Sequence, residues 1–224
     1  ASAAFASVEA ATGATAATQQ LAVTSNNLAN SLTPGFREVI SAYRAVPLKG
    51  DGVPFTGNGA DTRVFAVETT PGSNFTQGAL QTTGNALDVA IKGEGMFTVR
   101  RPDGQEAYTR AGKFMVNEQG MLMIGKDIPV VGSGGTITIP IGAIVQIAED
   151  GAVFTQLPGT QFLNQAGKLK LVNPNSNDLV RAADGLFDLP GQQAAADPAV
   201  RVVQGAYEMS NNNPTLAMVQ MIDQ

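Results

Sequence analysis

The residues best placed to do chemistry are few. Gly93-Glu94-Gly95 has the Gly-x-Gly spacing that lets a backbone approach a pyrophosphate, and Gly132-Ser133-Gly134-Gly135 has the composition of a phosphate-cradling loop. Neither completes its pattern. A dinucleotide fingerprint needs a helix after the first glycines and a third glycine at a fixed offset, and Gly93-Glu94-Gly95 lies between two predicted strands. The second loop lacks the Gly-Lys-Ser/Thr ending. Both read as turns. Glu149-Asp150-Gly151 and Asp184-Gly185 read as hairpin turns, because the alternating oxygen ligands of a calcium loop are absent. No Asp-Thr-Gly or Asp-Ser-Gly occurs for an aspartic dyad. A carboxylate pair for glycoside hydrolysis stays open, but three Tyr and no Trp are a poor supply of sugar-stacking rings.

The absences decide more. With no His, imidazole acid–base catalysis, the Ser-His-Asp triad and His metal ligation are excluded. With no Cys, so are disulfides, thiol nucleophiles, Cys-ligated zinc and iron–sulfur clusters. Fourteen Lys and Arg against 19 Asp and Glu leave a net charge of −5, the wrong sign for neutralising nucleic-acid phosphates. No catalytic, cofactor or metal residue is assigned, and the chain reads as a non-enzyme without a cofactor. There is no basic, apolar leader at the start and no run of about 20 apolar residues, so neither a cleaved signal peptide nor membrane insertion is expected.

The distribution of charge is more informative than its sum. Glu9 is the only charge before Arg37, and Asp223 is the only one after Glu208. Two charge-poor ends therefore flank an ordinary charged middle. In the first end Ala10, Ala14, Ala17, Leu21, Thr24 and Leu28 recur at helical spacing, and Pro34-Gly35 stops the helix. Its other faces carry Ala, Ser, Thr, Gln and Asn where a solvated helix carries Lys, Glu and Arg. Such a helix is either buried in one domain, a low-complexity tail, or packed on several sides by copies of itself or relatives. The last reading is preferred, since a helix that is polar all round and lacks ion pairs does not stand alone. In the second end Asn213 reads as an N-cap with Pro214 at the first helical position, followed by an apolar face of Leu216, Met218, Val219 and Ile222. About three turns are marginal for a free helix, so this helix is expected to continue and to pair with the first.

The middle, from about 60 to 205, alternates and turns like antiparallel strands. Leu87, Val89 and Ile91 alternate with Asp88, Ala90 and Lys92. Met96 to Arg100, Ala107 to Thr109, Phe114 to Val116, Met121 to Ile124, Ile137 to Ile141, Ile144 to Ile147, Val153-Phe154, Lys168 to Val172 and Leu186 to Leu189 read as further strands. Asp103-Gly104 marks a hairpin. The Gly-, Thr- and Pro-rich stretch 51–72 reads as a long connection or irregular arm. The expected fold is thus mainly β: an antiparallel β-rich central domain with a terminal α-helical module of paired N- and C-terminal helices. Its parts are an N-terminal helix at 1–36, a connecting arm at 37–72, the β-rich domain at 73–208 and the start of a C-terminal helix at 209–224.

Three stretches carry a resemblance. Asn26-Asn27-Leu28-Ala29-Asn30-Ser31-Leu32-Thr33-Pro34-Gly35-Phe36 resembles the N-terminal motif of flagellar rod and hook proteins. Leu87 to Phe97, followed by Tyr108-Thr109-Arg110-Ala111-Gly112-Lys113-Phe114, is similar to that family's β-domain signature. Ser210-Asn211-Asn212-Asn213 resembles its lead-in to the C-terminal helix. Phe36-Arg37 and Tyr43-Arg44-Ala45-Val46-Pro47 are most similar to the proximal-rod members, rather than the distal-rod or hook members. The first twenty residues are richer in Ala and Thr than is usual in the family.

The resemblance implies an axial structural subunit of the bacterial flagellar basal body. Such a subunit assembles helically around the export channel and transmits torque from motor to hook. Its partners would be other rod proteins and copies of itself, with the flagellar export apparatus during secretion, and no cleaved signal. Competing readings are a distal-rod or hook subunit, or a carbohydrate-binding or adhesive β module outside the flagellum. The residues expected at the assembly interface are Leu21 and Leu28 as packing positions, Asn26, Asn27 and Asn30 as hydrogen-bonding positions, Pro34, Gly35 and Phe36 as the exit turn, and Asn211, Asn213, Leu216, Val219 and Ile222 at the other end. For the asparagines simple capping of the helix end stands beside this role, and for Phe36 ordinary core packing.

Overall fold

The computed structural model describes residues 2–47 and 64–222. Over these residues the chain is mainly antiparallel β with one long helix, α1, at Ser2–Ala29, and a short one, α2, at Pro214–Ile222. Helix α1 ends ahead of Pro34, and turns follow from Asn30, as the bias against helical backbone before proline requires. The start of α2 is fixed locally. The Asn213 side-chain oxygen accepts from the amides of Thr215 and Leu216, at 3.0 and 3.3 Å, and satisfies two donors that the helix leaves free.

Two compact units form. One comprises Ala1–Ala29, Glu38–Asn74 and Asn212–Gln224; the other comprises Asn30–Arg37 and Phe75–Asn211. In the first, Val39–Pro47 and Val64–Ser73 pair as an antiparallel ribbon from Val39 opposite Ser73 to Pro47 opposite Val64, with a bulge between Ile40 and Ala42. Of the stretch 51–72 expected to be irregular, 64–72 is therefore strand, and 51–63 lies outside the described residues. No helix among the described residues is long and apolar enough to cross a membrane.

The second unit is the β domain. Its largest sheet has five strands in the order Leu171–Val172, Met96–Arg100, Glu106–Thr109, Phe187–Asp188 and Val180–Arg181. Ile144–Ile147, Ala152–Gln156 and Asn164–Lys168 make a three-stranded sheet, as do Phe114–Val116, Leu122–Ile124 and Ile128–Pro129. Val89–Lys92 pairs with Arg201–Gln204, and Leu80–Thr82 with Ala206–Glu208. The alternating apolar positions turn inward together. Val89, Ile91, Phe97, Phe114, Leu122, Val153, Leu171 and Val202 form one core, in which the Phe97 and Phe114 rings meet edge to face at 5.0 Å. Met96, Tyr108, Val172 and Phe187 form a second cluster.

Two expected strands come out differently. Lys168 to Val172 is not one strand but the end of one and the start of another, because the amides of Leu169 and Lys170 bond sideways to the carbonyls of Gly151 and Val131. Ile137 to Ile141 keeps its alternation, with Ile137 and Ile139 buried, but only Thr138 bridges a neighbour and Ile141 is exposed. Pro140 removes a ladder donor there.

Candidate functional site

Helix α1 has an unusual surface. Where its side chains are described, from Ala11 onward, the buried ones are Thr24 and Asn27, both polar. Leu21 is 43% exposed and Leu28 half-buried. Thr15, Thr18 and Thr24 turn their hydroxyls back onto the carbonyls of Ala11, Ala14 and Gln20, so each satisfies itself within the helix. No acid stands in the first turn and no base in the last. Helix α2 presents Leu216, Met218, Val219 and Ile222 to solvent, Ile222 at 82%.

The asparagines separate into different roles. Asn27 grips the first residue of the ribbon at both backbone atoms, donating to the Val39 carbonyl at 2.9 Å and accepting from the Val39 amide at 2.8 Å. The Asn27 carbonyl in turn accepts from Asn212 Nδ2 at 2.6 Å. Asn26 is exposed, and Asn30 accepts from the Thr33 hydroxyl at 3.1 Å in the turn after the helix.

In the β unit the turn 30–37 ends on a buried cluster of charge. Gly35 has φ +67°, and a Cβ there would stand 2.4 Å from the Ala111 amide nitrogen, so both conformation and space demand glycine. Its amide donates to the Glu208 carbonyl at 2.7 Å. Phe36 is half-buried beneath the Arg181 guanidinium, 4.8 Å from its ring centre, and Arg181 also lies 5.1 Å from the Phe187 ring. Phe36 thus packs against a cation at the end of the turn and lies outside the apolar core clusters. Arg37 meets Glu208 Oε1 at 2.5 Å, while Arg110 Nε donates to Glu208 Oε2 at 2.7 Å. The three side chains are 2%, 3% and 0% exposed for Arg37, Arg110 and Glu208. Glu208 Oε1 also accepts from the Gly78 amide at 2.8 Å. Arg110 gives its remaining hydrogens to the carbonyls of Gly93, Gly95 and Ile91. Burial lowers the pKa of Arg37, Glu208 pulls it back and Arg110 adds to the lowering. Asn211 closes the cluster, its amide donating to the Phe36 carbonyl at 3.2 Å and its side chain to the Thr76 carbonyl at 2.8 Å.

The other candidates resolve as structure. The Gly93-Glu94-Gly95 loop points its carbonyls at Arg110, the opposite polarity to a phosphate cradle. Gly132 and Gly135 pair across a tight hairpin. Glu149 pairs with Lys92 at 3.0 Å, and Asp184 with Arg101 at 2.8 Å. Tyr108 is 1% exposed and its hydroxyl accepts from the Ala194 amide, so it offers no face to a sugar. Tyr43 lies in the ribbon, and its side chain is outside the described residues. Among the described residues no three of His, Cys, Asp and Glu are grouped to hold a metal ion.

Sequence reasoning did not single out Arg37, Arg110 or Glu208 as a cluster. A signal was present: Arg37 and Glu208 are the first and last charges of the charged middle, and each of the three lies in or beside one of the motifs that carried the resemblance.

Comparison with known proteins places those motifs in context. Residues 10–37 match the family described as flagella basal body rod protein, and residues 90–155 match the flagellar hook protein FlgE/F/G D1 domain. The chain is 42% identical over 212 residues to the flagellar basal-body rod protein FlgF of Salmonella typhimurium, covering 91% of this chain and 81% of that relative. FlgF of Escherichia coli is similar at 40% identity over the same shares. The rod protein FlgG of Buchnera aphidicola is 30% identical, over 94% of this chain and 86% of its own.

Proposed function

This chain belongs to the flagellar basal-body rod protein family, and on that premise we propose that it is a structural axial subunit of the proximal rod, assembling helically around the export channel and passing torque from motor to hook. The higher identity to relatives named FlgF than to one named FlgG supports the proximal position over the distal one. The observation that carries the reading is α1 itself: 28 residues, about 42 Å of helix, with small or neutral polar side chains over most of its surface and no described apolar side chain buried. Such a surface is finished by neighbours. Small side chains allow close helix approach, and the neutral amides and hydroxyls supply bonds without the desolvation cost of charge.

In this reading the terminal stretches 1–36 and 209–224 serve an axial module in which α1 and α2 pair, their inner ends, 30–36 and 209–211, folding with the β unit. Three things support the pairing: the two helices fall in one unit, they come into contact, and Asn212 bonds to the Asn27 carbonyl. The exposed Leu21, Leu216, Val219 and Ile222 would pack against sister subunits, together with half-buried Leu28. Asn26, Asn30 and Asn213 would sit beside that seam, while Asn27, Pro34, Gly35, Phe36 and Asn211 hold the subunit's own chain in place for it. A subunit carried unfolded through the flagellar export apparatus, without a cleaved signal, gains from ends that order only on assembly, where contacts with neighbours offset the lost entropy. A heterologous contact repeated along a helix then extends into a tube. Its test is complementation. A strain lacking the gene should regain swimming with the wild-type chain, and basal bodies purified from it should contain the protein; swimming that does not depend on the gene overturns the proposal.

A further inference from the structure

The backbone leaves the β unit at Asn30, Arg37, Phe75 and Asn211. The departures at Arg37, Phe75 and Asn211 lie at or beside one buried group, and the one at Asn30 leads into it through the turn 30–37. Asn30 begins the turn whose Thr33 carbonyl accepts from the Phe36 amide. Two residues away, Gly35 bonds to the Glu208 backbone, and Arg37 bonds to the Glu208 carboxylate. Thr76, next to Phe75, uses its carbonyl to accept from both Arg37 Nη1, at 2.7 Å, and Asn211 Nδ2, at 2.8 Å. Arg110 completes the cage from the sheet side, tied to three carbonyls of the Gly93-Glu94-Gly95 turn and its preceding strand.

A buried arrangement of two guanidinium groups and one carboxylate is a costly way to gain stability. Removing these groups from water offsets most of their attraction, and well-packed apolar residues of the same volume stabilise a fold as well or better. What apolar packing does not supply is direction. Each of these bonds has one acceptor and one narrow angular range, so the cluster permits a single arrangement of the passing segments.

We propose that the Arg37–Glu208–Arg110 triad is a geometric clamp, a positioning element that holds the four chain passages of the β unit in the one arrangement that a subunit needs for incorporation into the rod. Its role in incorporation rests on the rod reading above; the clamp itself does not.

Hydrogen exchange on the wild-type chain tests the clamp directly. The amides of Gly35, Gly78 and Asn211 should exchange within about tenfold of the core-strand amides of Val89 and Val202. Exchange a hundredfold faster at those three positions would overturn the proposal. The companion variant replaces the charges with apolar groups of like size: Arg37→Met, Arg110→Met and Glu208→Leu together. It should still fold cooperatively, with a melting midpoint lowered because the Gly78 amide and the Gly93 and Gly95 carbonyls lose their partners, yet lose swimming at least tenfold when it replaces the wild-type gene. A folded triple variant that swims normally shows that packing alone suffices and removes the clamp. A triple variant that fails to fold shows that the charges serve stability, which also contradicts it. If the wild-type chain does not restore swimming, the rod reading fails and the exchange result still decides the clamp.

Discussion

The two units reach order by opposite means. In the β unit Val89, Ala90, Phe97, Val99 and Val153 are wholly enclosed, and its turns tie each strand to the next. In α1 the described side chains that are buried are one threonine and one asparagine. Burial of a large apolar side chain contributes roughly 1.5–3 kcal/mol, so the β unit carries its own stabilisation and α1 does not. On the rod reading the same chain holds a segment that specifies itself and a segment to be completed by other molecules. The position of charge follows: among the described residues the ion pairs sit on and within the β unit, while the helical ends carry only Glu9 and Asp223 in sequence.

That contrast can be broken at several points, and the largest effect is expected at Glu208. Glu208→Ala leaves Arg37 and Arg110 buried without their shared carboxylate, and should cost about 3–5 kcal/mol of β-unit stability by denaturant unfolding; a loss below about 1 kcal/mol would show that the cluster relaxes freely. Next is Gly35→Ala. The left-handed conformation alone costs about 1–2 kcal/mol, and the 2.4 Å approach to the Ala111 nitrogen adds to it. The same unfolding experiment reads this, and a neutral result would mean that the turn does not depend on its close approach to Ala111.

A smaller effect sharpens the electrostatic side. The Arg101 hydrogen bonds hold the Asp184 carboxyl below its ordinary pKa of 3.8, against desolvation, with the Leu186 amide helping. A depressed carboxyl contributes stability that is fully present above the ordinary pKa and is lost as pH falls through the lowered one. Asp184→Asn should therefore flatten the acid limb of β-unit stability below about pH 4. The pair is partly exposed, so the change should stay under about 1 kcal/mol; an acid limb unchanged in slope would assign the loss to other carboxylates. The smallest stability change belongs to Leu28→Asp, within about 0.5 kcal/mol for the β unit. Its consequence is expected in assembly, as absence from purified basal bodies and loss of swimming, and normal swimming would remove Leu28 from the seam.

How much of this the sequence carried depends on the reach of each interaction. The Asn213 cap and the stop before Pro34 involve neighbours two to five residues apart, and both were legible. So were the strand from Met96 to Arg100 and the hairpin at Asp103-Gly104, where alternation and turn chemistry are local. The Val39–Pro47 and Val64–Ser73 ribbon was not: its second strand ends in Pro71-Gly72-Ser73, and its first carries a bulge, which blurs the period of two. The charge cluster was half legible. Arg37 and Glu208 stood out as the outermost charges of the middle, but their contact joins residues 171 positions apart, and only the closed fold brings them together. Tyr108 is core because its strand is the middle one of the five-stranded sheet and is covered on both faces, with Ala107 and Thr109 buried beside it.

The difference between the two units comes to one measurable quantity, the protection of the amides from Thr15 to Leu28. Hydrogen exchange on the dilute monomer should find them close to unprotected while Val89 and Val202 exchange slowly, and the same amides in purified basal bodies should become slow. Strong protection of Thr15 to Leu28 in the isolated chain would mean that the helix is stabilised by its own molecule, and would contradict an end that is completed only by its neighbours.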